Sequence, residues 1–174
     1  MRIITGFLGR ILMITGLVLL PPAVYALLSG EASLATPFLY TAAVSAALGF
    51  ILFRNRDPSP PTTSQAMIVC VLSWAIISLV GAVPIVIILD VSWIDGFFES
   101  VSGFTTTGIT MLTGLDHMPR SVILWRSITQ WIGGLGILTF FLAVAARVPG
   151  AHRLMGPRGT RFSPEGRCPA LSIR

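Results

Sequence analysis

Four apolar segments, each about as long as the hydrocarbon core of a bilayer is thick, account for most of this chain. They cover residues 3–28, 36–53, 66–89 and 121–148, and about 20 apolar residues in a helix suffice to cross a bilayer. Only 11% of the residues are charged, whereas a soluble domain usually carries about 25%. We therefore predict an all-α integral membrane protein. The first segment is interpreted as an uncleaved span, because it is too long for a signal peptide.

The basic residues indicate how these segments are oriented. All twelve are arginines, and we place them at segment ends rather than in one nucleic-acid-binding patch. One side of the membrane receives Arg2, Arg54, Arg56, Arg147 and the five arginines of the tail. The other side receives Glu31, Asp90, Asp95, Glu99 and Asp116, with Arg120 as a nearby base. The positive-inside rule makes the first side cytoplasmic, so both termini are expected there. Arg10 either snorkels to that face or has a packed or functional role.

The remaining segments suggest a domain plan. Residues 1–56 form two transmembrane helices, and residues 57–65 form a cytoplasmic linker whose Pro-rich part, 57–63, cannot be helical. Residues 66–148 form a unit of helix, short re-entrant helix with a loop, and helix. The apolar stretch 93–104 is too short to span and suits a re-entrant segment within the part 93–108. The basic tail 149–174 shows no apolar periodicity, so it is expected to be disordered or unrelated to the rest.

The sequence FFESVSGFTTTG at residues 97–108 points to an ion pathway. Asp95 suits the first turn of a short helix that ends near Gly103, with its negative dipole end towards the membrane centre. Thr105, Thr106 and Thr107 follow with carbonyl oxygens that can replace the hydration shell of a monovalent cation. Gly108 permits a positive φ or a close approach that other residues would resist. The alternative is an ordinary extracellular loop with a polar turn.

Other polar residues are less specific. Glu99 either attracts cations and tunes a pKa or only hydrogen-bonds nearby backbone, and Asp116 with His117 suits a solvated vestibule better than a site. The run Gly133-Gly134-Leu135-Gly136 predicts close helix packing. Ser127, Thr129 and Gln130 either face a pore or bond a neighbouring helix. Because no nucleophile, acid–base pair or metal cluster lies at membrane depth, we do not expect an enzyme.

Two motifs resemble one family closely. FFESVSGFTTTGITMLTGLDHMP followed by WRSITQWIGGLGIL is similar to the first pore unit of Trk-type potassium uptake proteins, the TrkH/TrkG branch of the Trk/Ktr/HKT superfamily. The resemblance covers about residues 1–148. It implies a bacterial inner-membrane protein in which Thr106 and Thr107 offer carbonyls to K⁺ while Thr105 and Gly108 shape the strand. It also implies a homodimer, a TrkA-like cytosolic nucleotide-binding regulatory subunit, and no bound cofactor.

Such proteins use four pore units in one chain, and a single unit is recognisable here. We therefore expect an N-terminal fragment that does not transport K⁺ alone, with a tail of the kind that a shifted reading frame produces. Two alternatives remain open. One is a small scaffold or regulatory subunit that docks on a full-length transporter, and the other is a homotetrameric cation channel.

Overall fold

The structure, a computed structural model, describes residues 2–54, 56–57 and 59–145. Within those ranges the chain forms α-helices and no strand. The helices are α1 (Arg2–Val18), α2 (Leu20–Leu28), α3 (Ala32–Arg54), α4 (Thr63–Leu89), α5 (Trp93–Phe104) and α6 (Arg120–Ala145). This order confirms the predicted all-α membrane fold. The predicted tail, residues 149–174, lies outside the described residues.

Three stretches in the described part of the chain are long and apolar enough to cross a membrane: Arg2–Leu28, Ala32–Arg54 and Thr63–Leu89. The fourth predicted span corresponds to α6, whose described residues are not among the three stretches that are apolar enough to span. Its 26 residues are nevertheless long enough for a bilayer core at about 1.5 Å per residue. The prolines at positions 21 and 22 lie in the first turn of α2, where the missing N–H groups would have no helical partner anyway.

The start of α4 corrects one prediction. We expected residues 57–63 to be non-helical, but α4 begins at Thr63. Thr62 is the N-cap: its hydroxyl accepts from the backbone N–H of Gln65, and the Gln65 side chain accepts from the backbone N–H of Thr62. This capping box satisfies two N–H groups that would otherwise lack partners. The first helical residue, Thr63, therefore comes two positions after Pro61, the last proline of the linker.

Glycines let α1 approach α3 closely. A Cβ added at Gly9 would lie 2.6 Å from the Gly49 carbonyl oxygen, and one added at Gly49 would lie 2.7 Å from the Gly9 carbonyl oxygen. Distances this short leave no room for any side chain at either position. Ser45 adds a hydrogen bond from its hydroxyl to the Leu12 carbonyl at 2.7 Å. The two N-terminal spans are thus held by backbone proximity of the kind that membrane helices favour.

An aromatic cluster joins these two spans to the later helices. Trp125 of α6 is fully buried and makes edge-to-face contacts with Phe38 of α3 and Phe104 of α5, with ring centroids 6.5 and 6.2 Å apart. Its indole N–H donates to the Gly81 carbonyl of α4 at 3.0 Å. The ring therefore contacts three helices and satisfies its polar atom at the same time.

Two compact units divide the chain at Ile137, within α6. The first contains α1 to α5 and the beginning of α6. The second begins at Leu138, and in it the rings of Phe140 and Phe141 contact each other edge to face at 6.1 Å. Many large apolar side chains of the first unit are exposed, among them Leu17, Val71 and Trp131. In a membrane protein such surfaces face lipid or further helices.

Candidate functional site

Helix α5 begins with a strong local signal. The Ser92 hydroxyl accepts from the backbone N–H of Asp95 at 3.2 Å and donates to the Asp95 carboxylate at 2.8 Å. Asp95 lies in the first helical turn, as predicted, where its charge complements the positive end of the helix dipole. The helix matches the predicted short segment at both ends, Trp93 and Phe104. Its last residue, Phe104, follows Gly103, near which the sequence predicts the end of the helix.

The C-terminal end of α5 is closed by a Schellman motif. The backbone N–H of Thr107 donates to the Ser102 carbonyl, and that of Thr106 donates to the Gly103 carbonyl, both at 3.0 Å. The motif requires a left-handed residue, usually glycine, at the first position beyond the cap. Thr106 occupies that position with φ +57°. A β-branched residue there is strained by about 1–2 kcal/mol, a kind of strain that clusters at functional sites.

Residues 105–108, which we call the TTTG loop, follow directly and are all exposed. Gly108 has φ +74°, and an added Cβ would meet nothing within 4 Å. Of the two reasons that the sequence offers for this glycine, the structure therefore shows the positive φ and not the close approach. The Thr105 hydroxyl lies 2.8 Å from the Thr107 hydroxyl and donates to the Val101 carbonyl at 2.7 Å. Side-chain hydroxyls thus fix the backbone of the loop at the negative end of the α5 dipole.

The chain that leaves the TTTG loop, residues 109–111, has no regular secondary structure and pairs with no sheet. We call this segment the returning strand; it runs back beside α5 and is hydrogen-bonded to it at two levels. The Ser102 hydroxyl donates to the Ile109 carbonyl at 2.5 Å. Nearer the start of α5, one carboxylate oxygen of Glu99 accepts from the Thr110 hydroxyl at 2.7 Å and from the Met111 backbone N–H at 2.6 Å. Of the two roles that the sequence left open for Glu99, the structure bears out hydrogen bonding to nearby backbone.

Arg126 of α6 forms an ion pair with the other carboxylate oxygen of Glu99. Glu99 is only 3% exposed, so the pair is removed from water and its charges interact strongly. The sequence assigns Arg126 no role, because we place the arginines at segment ends. The sequence does hold a clue, because an arginine inside an apolar span usually pairs with an acid. The acid is Glu99, which lies in the short apolar stretch 93–104.

The glycines of α6 bring that helix against the end of α5. A Cβ at Gly133 would overlap the carbonyl oxygen of Phe104, whereas one at Gly134 would lie 3.8 Å from the Thr106 methyl group, an ordinary contact. A Cβ at Gly136 would rest 3.4 Å from the Trp74 ring of α4. The prediction that this run serves helix packing is confirmed.

The polar residues earlier in α6 differ in their surroundings. Thr129 is buried, and its hydroxyl donates to the Arg126 carbonyl at 2.7 Å. It also borders Gly103, where an added Cβ would overlap its hydroxyl. Ser127 is exposed and its hydroxyl donates to the Ile123 carbonyl at 3.0 Å. Thr129 therefore lies at the helix interface, and Ser127 bonds its own helix.

Glu31, in the loop between α2 and α3, caps α6 from a distance. One carboxylate oxygen accepts from the backbone N–H of Arg120 at 3.0 Å, and the other accepts from the Ser121 hydroxyl at 2.6 Å and backbone N–H at 3.2 Å. Slight burial raises the pKa of Glu31, but these hydrogen bonds from Ser121 and Arg120 outweigh it and leave the pKa below its ordinary value. The sequence predicts only a loop acid here.

Asp116 and His117 lie in a short 3₁₀ turn, Leu115–His117, and both are exposed. Asp116 borders an open hollow of about 490 Å³ together with Tyr25, Arg120 and Ser127. In the described part of the chain no hydrogen bond or ion pair joins Asp116 to the TTTG loop. The site that the structure assembles consists of the α5 terminus, the TTTG loop, the returning strand and the Glu99–Arg126 pair.

Comparison with known proteins gives consistent matches. The family model described as "TrkH: Cation transport protein" matches residues 33–154. An uncharacterized cation transporter of Methanocaldococcus jannaschii is 35% identical over 145 residues, which are 83% of this chain and 30% of that protein. The Trk system potassium uptake protein TrkH of Salmonella typhimurium is 34% identical over 147 residues, 82% of this chain and 30% of that protein.

A solved structure matches as well. The crystal structure of the potassium transporter TrkH from Vibrio parahaemolyticus aligns with a TM-score of 0.78 and 28% identity, covering 88% of this chain and 35% of that one. The chain therefore spans about a third of the length of the relatives that it matches.

Proposed function

Because the chain belongs to the TrkH family of cation transport proteins, we propose that it supplies one strand of a potassium-selective filter, formed by the TTTG loop. The observation that carries this proposal is the position of the loop. It follows the C-terminal end of α5, and it is exposed along its whole length while the strand beyond it is anchored. A loop that is held in shape but left uncovered suits contact with an ion and with neighbouring strands.

The chemistry of the loop supports the ion that the relatives' names specify. Carbonyl oxygens of Thr106 and Thr107 would replace water around K⁺, with Thr105 and Gly108 shaping the backbone. The negative end of the α5 dipole favours a dehydrated cation at this point. The Thr105 hydroxyl donates to the Val101 carbonyl of α5 and lies 2.8 Å from the Thr107 hydroxyl. Both hydroxyls are thus engaged, which leaves the backbone carbonyls as the proposed ligands. Asp95 and Asp116 would attract cations towards the outer mouth.

One strand cannot encircle an ion, so we propose that the chain acts as part of a larger pore. The other strands would come from the remaining pore units of a longer transporter, in which this chain is the N-terminal fragment. The exposed side chains of Ile109, Met111 and Trp131 supply an apolar surface for such neighbours. We also propose that this assembly is a homodimer that works with a TrkA-like cytosolic regulatory subunit. It would lie in a bacterial inner membrane with both termini in the cytoplasm.

A pair of flux measurements tests this function. The chain alone, and a chimera in which residues 33–145 replace the matching part of a full-length TrkH, are expressed in a potassium-auxotrophic host. The chimera is expected to restore growth and K⁺ uptake, and the chain alone is not. K⁺ flux from the chain alone as a tetramer would favour the channel alternative. A correctly inserted chimera without uptake would contradict the filter role.

A further inference from the structure

A small basic pocket lies at the opposite end of the N-terminal helices from the Glu31 loop. It has a volume of about 250 Å³ and is lined by α1 and by the residues that follow α3. Gly6, Phe7 and Arg10 form one wall, and Arg56, Asp57 and Pro60 form the other. Helix α1 begins, α3 ends and α4 begins on this side, so the pocket lies where a membrane surface would meet the protein.

Two arginines, Arg10 and Arg56, line this pocket, and their guanidinium groups lie near one aromatic ring. The Arg56 guanidinium lies 4.2 Å from the centre of the Phe53 ring, and that of Arg10 lies 5.3 Å from it. Arg10 also lies 5.7 Å from the centre of the Phe7 ring. Stacking of this kind orients the planar groups and leaves their N–H edges free for a ligand.

Neither guanidinium is neutralised by a carboxylate in the described part of the chain, where the Glu99–Arg126 pair is the ion pair found. The acid that lines the pocket, Asp57, uses one carboxylate oxygen to accept from the Ser59 backbone N–H at 3.0 Å and hydroxyl at 2.6 Å. Two positive groups and one engaged acid leave the pocket with a net positive charge. Such a pocket attracts an anion.

The backbone of α1 is shaped to admit Arg56. A Cβ added at Gly6 would lie 2.6 Å from the Arg56 Cβ, so any side chain at position 6 would displace Arg56 from α1. Glycine here is therefore required for the two guanidiniums to reach the same pocket. The apolar ring of Phe7 and the side chains of Pro60 and Pro61 form walls beside the charged groups.

From this geometry we propose that the pocket binds the phosphate of an anionic phospholipid headgroup. Arginine presents a fork of N–H donors that matches phosphate oxygens, and basic pockets between membrane helices on the cytoplasmic side are suited to anionic headgroups. The apolar walls receive the glycerol end of the lipid. Free inorganic phosphate shares the same chemistry, but it lacks the part that those walls contact.

The purified chain provides the test. It is titrated in detergent with dioleoylphosphatidylglycerol or dioleoylphosphatidylcholine, and bound lipid is measured by native mass spectrometry. The anionic lipid is expected to bind about tenfold more tightly. Arg10→Gln and Arg56→Gln are each expected to weaken that preference, and the double variant is expected to remove it. Arg54→Gln is the matched control for each single change, since it removes one charge from the same end of α3 without touching the pocket. It should keep the preference.

Two further variants guard against a folding artefact. Arg10→Lys keeps the charge but loses the fork, and Gly6→Ala keeps both charges but displaces Arg56. Each is expected to weaken binding of the anionic lipid several-fold with unchanged helical circular dichroism. Equal binding of the two lipids, or equal loss in Arg54→Gln, would overturn the site. Binding of inorganic phosphate that displaces no lipid, with no headgroup preference, would overturn the lipid assignment.

Discussion

Glu99 and Arg126 form an ion pair that links α5 to α6, and the second carboxylate oxygen of Glu99 links α5 to the strand that leaves the TTTG loop. The carboxylate thus has charged and neutral partners on different elements. Its position between α5, α6 and the strand explains how a short exposed loop keeps one backbone shape. Glu99 and Arg126 act in this account as positioning residues, because neither lies in the TTTG loop itself.

Breaking this pair is expected to destabilise the protein strongly. Glu99→Ala leaves Arg126 buried without a counter-charge, at a cost of about 3–5 kcal/mol. Arg126→Ala leaves the Glu99 carboxylate buried without its positive partner, at a similar cost. The double variant Glu99→Ala with Arg126→Ala leaves neither charge unpaired and should cost clearly less than the two single changes added together. Unfolding in mixed micelles, followed by the fluorescence of the tryptophans, measures the cycle. Additive effects would mean that the two side chains do not depend on each other.

Neighbouring glycines of α6 should respond in opposite directions to the same substitution. Gly133→Ala places a Cβ against the Phe104 carbonyl and is expected to destabilise by about 1–3 kcal/mol. Gly134→Ala meets only an ordinary contact and should stabilise the helix by about 0.5–1 kcal/mol. The unfolding measurement described for the ion pair compares them. Equal effects of the two variants would refute the packing of α6 on the end of α5.

The helices follow closely from the sequence because their length and apolar character are local properties. The start of α5 is also local, since Ser92 and Asp95 define it. The pairing of Glu99 with Arg126 is not local. It depends on the rotation of α6 about its axis, which the continuous apolar character of that helix does not specify. The cap of α6 by Glu31 joins residues 89 positions apart, and no sequence pattern marks it.

Thr106 illustrates a different limit. Sequence rules place glycine in left-handed positions, and they lead to Gly108, which does have a positive φ. They do not lead to Thr106, because a β-branched residue is disfavoured there. The surrounding hydrogen bonds impose this conformation against the local preference of the chain.

Acidification should loosen the contact between Glu31 and α6. The pKa of Glu31 lies below its ordinary value of 4.5, so the folded state favours the ionised carboxylate. This stabilisation is complete above about pH 4.5, and it is lost as the pH falls through the lower pKa of Glu31 in the folded state. The melting temperature of the wild-type chain should therefore fall more on acidification than that of Glu31→Gln. Parallel curves for the two proteins would show that the cap contributes nothing.

The proposed orientation is testable by cysteine labelling. In a background of Cys70→Ser and Cys168→Ser, Asp116→Cys should react with an impermeant thiol reagent on intact cells. Ser59→Cys should react only after permeabilisation, because the arginine distribution places the linker inside. The reverse pattern would overturn the orientation and would place the basic pocket on the outer surface.

The most direct test of the filter proposal compares two substitutions in the full-length chimera. Gly108→Ser adds a Cβ where φ is positive, at a cost of about 1 kcal/mol or more, and turns the adjacent carbonyls. We predict weaker discrimination of K⁺ from Na⁺, or loss of uptake, across external concentrations of both ions. Thr107→Ala should have a smaller effect, since the backbone carbonyl is the proposed ligand. Unchanged uptake and selectivity in Gly108→Ser, together with loss of both in Thr107→Ala, would contradict the filter assignment.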